Sequence, residues 1–353
     1  MDLSQHTDLL LRWYSVNKRS LPWRQTRDPY KIWISEVILQ QTRVIQGLPY
    51  YNRFIERFPA IKNLAKAEIH EVLLYWQGLG YYSRARNLLK CAKTIVEIYG
   101  GEFPDSFDEL LKLPGIGPYT AAAIASIAFN KKAPVIDGNV YRVLSRLFDI
   151  NKNIYSTKGK KYFYKIANAM ISDKHPGEFN QSIMEFGALQ CVPRNPDCML
   201  CDLKSYCLSY LKNNQEIRPV REKKLAKRVR YFDYLVLEVE RGIYLRKRVE
   251  KDIWNGLYEF FMLETKTKNK DLMEELKKRE LFKNINFYIG NIREYKHILT
   301  HQIIFASFYH IKVVNVDISS DLGLNNGRFY SLEEIENLPK PVLIDKYLKE
   351  EIF

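Results

Sequence analysis

Two patterns of hydrophobic and polar positions divide the chain. From residue 1 to about 211, apolar residues recur every three or four positions, as in "SRARNLLKCAKTIVEIYG", and glycines close several of these stretches. After residue 230 the pattern alternates: "YFDYLVLEVERGIYLRKR" predicts two strands joined at Arg241-Gly242. Further strands are predicted in "NINFYIGNIREYKHILTHQIIFASFYHIKVV", and helices in "NKDLMEELKKRELF" and "SLEEIENLP". The sequence therefore predicts a helical domain followed by an α+β domain.

The segment between the two patterns is polar and basic. It reads "KNNQEIRPVREKKLAKRVR" and covers residues 212–230, so we expect domains at 1–211 and 231–353 with a linker between them. Such a segment can be a solvated linker, and it can also lie along a phosphate backbone. The two roles are compatible.

Composition narrows the class of partner. The 353 residues carry a net charge of +14, and 13% of them are aromatic. Basic charge with aromatic side chains favours a polyanion, with nucleic acid as the first candidate. No run of about 18 apolar residues and no signal peptide is visible, so we expect no membrane span and a cytoplasmic protein.

A glutamate in an apolar helix is the first chemical feature. Asp28-Pro29 predicts a helix start, and Glu36 follows within "WISEVILQQT", where Ile32 and Trp33 lie on the same helix face. Burial there raises the pKa of a carboxyl group and keeps it protonated, which suits a general acid. The alternative is a structural glutamate at the helix edge or paired with a core arginine.

Four cysteines lie close together near the end of the helical region. The loop "CVPRNPDCMLCDLKSYC" contains Cys191, Cys198, Cys201 and Cys207, separated by six, two and five residues. In a reducing compartment this spacing indicates a metal site, and by spacing alone it suits zinc or an iron–sulfur cluster equally. The fifth cysteine, Cys91, is expected to be a small buried residue.

A glycine-rich turn and an aspartate complete the candidate chemistry. In "LKLPGIGPYTAAAIASIAF", Gly115 and Gly117 allow positive φ and leave backbone N–H groups at a helix start, which can hold a DNA phosphate. Asp137 precedes an amphipathic helix and is predicted to be its N-cap, a position that favours the ionised carboxylate. One neutral and one charged carboxyl group form the arrangement that cleaves glycosidic bonds.

These motifs together resemble a known superfamily. "SEVILQQT", "QGLGYYSRARNL", "LPGIGPYTA", "VIDGNVYRVLSR" and the cysteine loop, in this order over residues 21–207, resemble the helix-hairpin-helix DNA glycosylases, and among them the MutY family. The resemblance implies a helix-hairpin-helix glycosylase domain at 1–211 with a [4Fe–4S] cluster in the 191–207 loop. It also implies a Nudix-like domain at 231–353 that recognises 8-oxoguanine.

The resemblance implies excision of adenine mispaired with 8-oxoguanine or guanine in double-stranded DNA, leaving an abasic site. Glu36 matches the residue that protonates N7 of the flipped adenine and then activates water, and Asp137 the one that stabilises the sugar cation. Tyr119 and Asn139 match residues that hold the aspartate. Tyr119 also stands where endonuclease III carries its lysine nucleophile, so a monofunctional enzyme is implied.

Further positions match residues of the family that contact DNA. Gln181 matches a contact to the flipped adenine. Leu21 and Arg24 match residues of the adenine pocket, and Gln41 and Tyr81 match residues that wedge into the duplex. Thr42 and Leu79 match residues near 8-oxoguanine. Thr300 and His301 match residues of the loop that recognises 8-oxoguanine. The loop reads Leu299-Thr300-His301 where the family often reads Phe-Ser-His, and no Nudix box is present.

Several alternatives stay open at this stage. Leu21, Leu79 and Tyr81 also suit a hydrophobic core, and His297 and His301 also suit packing on a strand face. Two other functions are alternatives: an endonuclease III-like glycosylase with lyase activity, and a non-catalytic DNA-binding protein whose cluster senses redox state. We expect a monomer associated with the nucleoid.

Overall fold

The structure is a computed structural model. It describes residues 3–221, 226–268, 286–314 and 327–353. The chain forms two compact units. The first comprises Met1–Ala67 and Asn87–Lys223, and the second comprises Glu68–Arg86 and Lys224–Phe353. The sequence pattern did not indicate that residues 68–86 belong with the C-terminal part of the chain.

The first unit is helical, as the periodicity predicted. Its helices are α1 (Ser4–Asn17), α2 (Pro29–Ile38), α3 (Val44–Arg57), α4 (Ile61–Lys66), α7 (Phe107–Leu111), α8 (Pro118–Ile127), α9 (Gly138–Leu147), α10 (Thr157–Met170), α11 (Pro176–Leu189) and α12 (Leu208–Leu211). Two short 3₁₀ turns lie at Pro22–Arg24 and Lys204–Tyr206. Helix α5 (Ile69–Trp76) lies in the second unit, and the boundary between the units falls within α6 (Ser83–Tyr99).

Predicted caps define the two helices that matter most for the site. The Asp28 side chain accepts a hydrogen bond from the backbone N–H of Tyr30 at the start of α2. The Asp137 side chain accepts one from Val140 N–H at the start of α9. Both caps satisfy donors that have no partner within their own helix. Helix α11 packs against both α8 and α9, and α2 packs against α8, so these elements enclose one region.

The second unit is built around a mixed sheet. Its described strands are β1 (Arg228–Val239), β2 (Gly242–Lys247), β3 (Tyr258–Glu259), β4 (Phe261–Thr265), β5 (Asn286–Ile298), β6 (Gln302–Val314) and β7 (Gly327–Tyr330). The order β3-β2-β1-β6-β5 has β4 paired with β1 and β7 with β2. β1 and β6 run parallel, and the other pairs are antiparallel. The helices α13 (Leu332–Glu336) and α14 (Val342–Glu351) follow.

The strand predictions for the second unit are confirmed, including the turn at Arg241-Gly242. The helix expected in "NKDLMEELKKRELF" lies outside the described residues. β1 begins at Arg228, three residues before the expected domain start. Among the described ranges, no helix combines the length and the apolar character that a bilayer crossing requires.

Candidate active site and DNA-contacting residues

A cavity of about 170 Å³ in the first unit brings together residues from six parts of the sequence. Its walls come from the segment before α2, from α2 and the residues after it, and from α8, the α9 start and α11. Eight of the residues singled out from the sequence border it, namely Leu21, Arg24, Glu36, Thr42, Tyr119, Asp137, Asn139 and Gln181. Both predicted carboxyl groups therefore face one enclosed space.

Glu36 is buried as the sequence predicted. It lies in the last part of α2 and is 7% exposed, and Ile32 and Trp33, one turn before it on the helix, are buried as well. Burial raises the pKa of Glu36 to about 7. A hydrogen bond from the Tyr119 hydroxyl to Glu36 Oε2, at 2.6 Å, lowers it in part, and the charge of Asp137 raises it further. At neutral pH, Glu36 is therefore protonated in a substantial fraction of the molecules.

Tyr119 reaches Glu36 because of where α8 begins. Gly117 is the N-cap and Pro118 the first residue of that helix, so Tyr119 lies in its first turn. Its hydroxyl also lies 3.3 Å from Met184 Sδ. Burial raises the pKa of Tyr119 well above its usual value, so the hydroxyl stays a donor. The expected partner was Asp137, and the structure differs: Tyr119 donates to Glu36.

Asp137 is held by its own helix end. Val140 N–H donates to Oδ1 at 2.7 Å and Asn139 Nδ2 donates to Oδ2 at 2.8 Å. Arg142 in turn donates to Asn139 Oδ1 at 2.9 Å, which fixes the amide orientation. Its position as an N-cap had predicted a low pKa for Asp137, but burial raises that pKa. The hydrogen bonds from Val140 and Asn139 act in the opposite direction and lower it in part. Two N–H donors favour its charged form more than the one hydroxyl does at Glu36.

A buried ion-pair cluster borders the same cavity and was missed in the sequence. Glu185 is 1% exposed and accepts hydrogen bonds from both Arg19 and Arg24, with four contacts between 2.6 and 2.8 Å to their side chains. Burial acts to raise the pKa of Glu185, but the two arginines outweigh it and lower the pKa to about 2. One signal was available: Glu185 follows Gln181 by four residues on α11 and so shares its face.

The predicted hairpin is present, but its two glycines differ. Gly115 has φ of +76°, and a Cβ there would lie 2.6 Å from Asn87 Cβ. Gly117 has φ of −92°, so it does not use the positive φ that a glycine allows. No atom lies within 4 Å of a Cβ placed on Gly117, which leaves its backbone accessible from outside. Gly115 is thus required by the turn, and Gly117 leaves room for an external group.

Gln41 and Tyr81, the two predicted wedge residues, share an unusual backbone conformation. Gln41 has φ of 59° and Tyr81 has φ of 50°, and both side chains are exposed. Positive φ in non-glycine residues costs about 1–3 kcal/mol and is concentrated at functional sites. Gln41 belongs to the first unit and Tyr81 to the second. Leu79 is 7% exposed, so the structure gives it a core position.

The predicted recognition loop lies at the turn between β5 and β6. Thr300 and His301 are exposed there, and the His301 carbonyl accepts a hydrogen bond from Arg228 N–H at 3.0 Å. Within the second unit, the Thr300 hydroxyl is hydrogen-bonded to the Tyr81 hydroxyl. His297, by contrast, packs 5.7 Å from the Trp254 ring, and its burial lowers its pKa. His297 therefore has the strand-face role that was one of its two alternatives.

The four clustered cysteines border one cavity in the first unit. Arg146, 2% exposed, donates to Cys191 Sγ at 3.5 Å and to the carbonyl groups of Val192 and Pro193, and so fixes one end of the loop. Within the described ranges, no group of three or more His, Cys, Asp or Glu side chains is arranged to hold a metal ion. Four thiols around a common cavity beside a buried cation nevertheless suit a group with thiolate ligands. Cys91 is fully buried.

Comparisons with known proteins agree with this architecture. Residues 34–169 match the family described as HhH-GPD superfamily base excision DNA repair protein, and residues 234–350 match the NUDIX domain. A thermostable thymine-DNA glycosylase of known structure is similar with a TM-score of 0.55 and 31% identity, covering 60% of this chain and 97% of that one. The fold is therefore a helical glycosylase domain followed by a Nudix-like domain.

Full-length relatives are also similar. The adenine DNA glycosylase of Buchnera aphidicola subsp. Schizaphis graminum is 35% identical over 349 residues, which cover 97% of this chain and 98% of the relative. That of Buchnera aphidicola subsp. Baizongia pistaciae is 37% identical over 341 residues, which cover 94% and 93%. The chain belongs to the adenine DNA glycosylase family of base excision repair enzymes.

Proposed function

We propose that this glycosylase releases adenine opposite 8-oxoguanine or guanine by acid-assisted hydrolysis, with Glu36 as the acid and Asp137 as the stabilising carboxylate. The observation that carries the proposal is the placement of these two carboxyl groups on one cavity, with Glu36 buried and Asp137 held by N–H donors. Membership of the family identifies adenine as the base that is released. The mechanism and the base opposite adenine are proposed.

The first step is proton transfer. Protonated Glu36 donates to N7 of the flipped adenine, and the C1′–N9 bond breaks with its electron pair moving to the base. The base thereby leaves as neutral adenine rather than as an anion. A carboxyl group whose pKa lies near the working pH is well suited to this step, since it is both populated in the acid form and able to release the proton.

The second step consumes the sugar cation. Asp137 remains ionised beside the positive charge that develops on the sugar, and the Asn139 amide and Val140 N–H keep its oxygens in place. Water then adds to C1′, and the Glu36 carboxylate takes its proton. The products are adenine and an abasic site, and Glu36 is again protonated.

Water is the nucleophile in this scheme, so the enzyme is monofunctional. Tyr119 stands at the position of the endonuclease III lysine, and a phenol hydroxyl cannot form a Schiff base. Borohydride added during turnover is expected to trap no protein–DNA adduct. A stoichiometric covalent adduct would instead favour the glycosylase with lyase activity.

The Nudix-like domain is the proposed reader of the opposite base. Thr300 provides a hydroxyl group and His301 a ring at an exposed turn, and both match the family loop that contacts 8-oxoguanine. Leu299 replaces the aromatic residue of that loop, so the contact is proposed to rest on the hydroxyl group and the imidazole.

Cys191, Cys198, Cys201 and Cys207 are the residues that would hold a [4Fe–4S] cluster. When bound, such a cluster cross-links the loop and supplies structure to a segment too short to fold alone. We expect purified protein to show the visible absorption of an iron–sulfur cluster, and the Cys198→Ser variant to lose iron and expose the loop to protease. Protein with stoichiometric zinc and no visible band would contradict this assignment.

Single-turnover adenine release tests the whole proposal. Duplexes with adenine opposite 8-oxoguanine, guanine or thymine are compared at enzyme excess. We expect release from the first two and none from the third. Equal release from all three would contradict the mispair assignment, whereas an active Glu36→Gln variant would contradict the mechanism.

A further inference from the structure

A second cavity adjoins the candidate active site. It has a volume of about 420 Å³ and belongs to the same helical unit. Leu21, Arg24 and Gln181 border both cavities, so these side chains form part of the partition between them. Gln181 has open space on two sides, and an amide in such a place can swing from one cavity to the other.

One hydrogen bond restrains that amide. The Tyr14 hydroxyl, on α1, donates to Gln181 Oε1 at 2.5 Å across the contact between α1 and α11. Tyr14 borders the second cavity and not the active-site cavity, so it holds Gln181 from the side of the second cavity. Within the described residues, the Gln181 side chain makes this one hydrogen bond.

Tyr14 is itself firmly placed. It is 2% exposed, and the Arg24 guanidinium lies 5.5 Å from its ring centroid. The neighbouring Trp13 packs edge-on against Phe186 of α11 at 5.0 Å, which fixes α1 against that helix. Burial raises the pKa of Tyr14 to about 12, so its hydroxyl is a donor throughout the range in which the enzyme is assayed.

We propose that Tyr14 is a positioning residue that fixes the orientation of the Gln181 amide toward the flipped adenine. This inference rests on the proposed excision of adenine and on the contact between Gln181 and the flipped base that the family resemblance implies. Because Tyr14 binds Oε1, the Nε2 donors of Gln181 are directed away from it and toward the active-site cavity. There they meet N1 of adenine, which accepts a hydrogen bond. N1 of guanine carries a hydrogen and cannot accept one.

A double-mutant cycle tests the coupling of Tyr14 and Gln181. Tyr14→Phe keeps the ring and removes the hydroxyl group, and we expect single-turnover adenine release to fall about fivefold to tenfold with duplex affinity unchanged. In the Gln181→Ala background the same substitution is expected to have no further effect, because the amide it positions is absent. A role in stability alone predicts equal effects in both backgrounds.

Tyr30→Phe is the matched control. The Tyr30 hydroxyl is also buried and hydrogen-bonded, to the Phe58 carbonyl at 2.7 Å, but it borders neither cavity. We expect it to lower stability and to leave the rate of adenine release unchanged. Gln181→Glu adds a variant that keeps an acceptor for Tyr14 and loses the Nε2 donors, and it is expected to be slow.

The outcomes separate the two levels of the proposal. A slow Gln181→Ala enzyme together with a Tyr14→Phe enzyme at the wild-type rate would overturn the role of Tyr14 alone. Wild-type rates in Gln181→Ala and Gln181→Glu would overturn the contact between Gln181 and adenine, and with it the role of Tyr14. Equal effects of Tyr14→Phe in both backgrounds would also overturn the positioning role.

Discussion

Replacing Glu36 by glutamine is expected to stabilise the protein at alkaline pH while it abolishes catalysis. Glutamine retains an oxygen that accepts the 2.6 Å hydrogen bond from Tyr119 and cannot become charged. The wild-type carboxyl group, by contrast, must ionise in a buried place as the pH rises. The substitution therefore removes an energetic cost that exists only where Glu36 is deprotonated.

The size of that cost follows from the pKa. Burial raises the pKa of Glu36 from 4.5 to about 7. Between these values the folded protein binds a proton that the unfolded chain has lost, so the unfolding free energy falls as the pH rises. A difference of about 2.5 in pKa corresponds to about 3 kcal/mol, and the full loss is present above pH 7. We thus expect Glu36→Gln to be about 3 kcal/mol more stable than wild type at pH 8.5 and no more stable at pH 4.5.

Hydrogen exchange along a urea series, read on peptides of α2, measures this difference for the first unit alone. Glu185→Gln is the matched control with the opposite sign. The pKa of Glu185 is lowered to about 2, so its carboxylate stabilises the fold above pH 4.5 and that contribution is lost as the pH falls toward 2. A Glu36→Gln enzyme with wild-type stability at pH 8.5 would refute a buried, raised-pKa Glu36.

Four further predictions concern Glu36, its partner Tyr119 and the two glycines of the hairpin. Adenine release at saturating enzyme should decline as the pH rises through about 7, because the acid form of Glu36 is lost; a rate constant independent of pH from 6 to 9 would contradict this. Tyr119→Phe removes a donor that favours the carboxylate, so that decline should move to higher pH, and an unmoved profile would argue against the contact. Gly115→Ala should lower the unfolding free energy, measured in urea, by about 1 kcal/mol or more, because the φ of Gly115 is +76° and a Cβ there would clash with Asn87. Gly117→Ala should leave stability nearly unchanged and weaken duplex binding, measured by fluorescence anisotropy; the reverse pattern would contradict the hairpin assignment.

Local features of the sequence predicted local structure well. The Asp28 and Asp137 caps, the turn at Arg241-Gly242 and the burial of Glu36 were each visible in a few neighbouring residues. Short-range hydrogen bonding and apolar periodicity determine these features, so a window of about ten residues contains the information.

Contacts between distant segments were not predictable in the same way. Arg19 and Arg24 meet Glu185 across more than 160 positions, and nothing near any of them indicates the partner. Tyr119 was expected at Asp137 because a family resemblance gives roles but no hydrogen bonds, whereas the register of α8 against α2 brings its hydroxyl to Glu36. The backbone of Gly117 likewise depends on the helix start it caps, which a glycine-rich motif leaves open.

The proposed mechanism depends most on a Glu36 carboxyl group that keeps its proton up to about pH 7 at a cavity it shares with Asp137. The most direct measurement is a titration of the Glu36 carboxyl group, taken as the difference infrared spectrum between wild type and Glu36→Gln from pH 4 to 9. We expect a protonated carboxyl band that disappears with a midpoint near pH 7. A midpoint near 4.5, with no such band at pH 6, would contradict it.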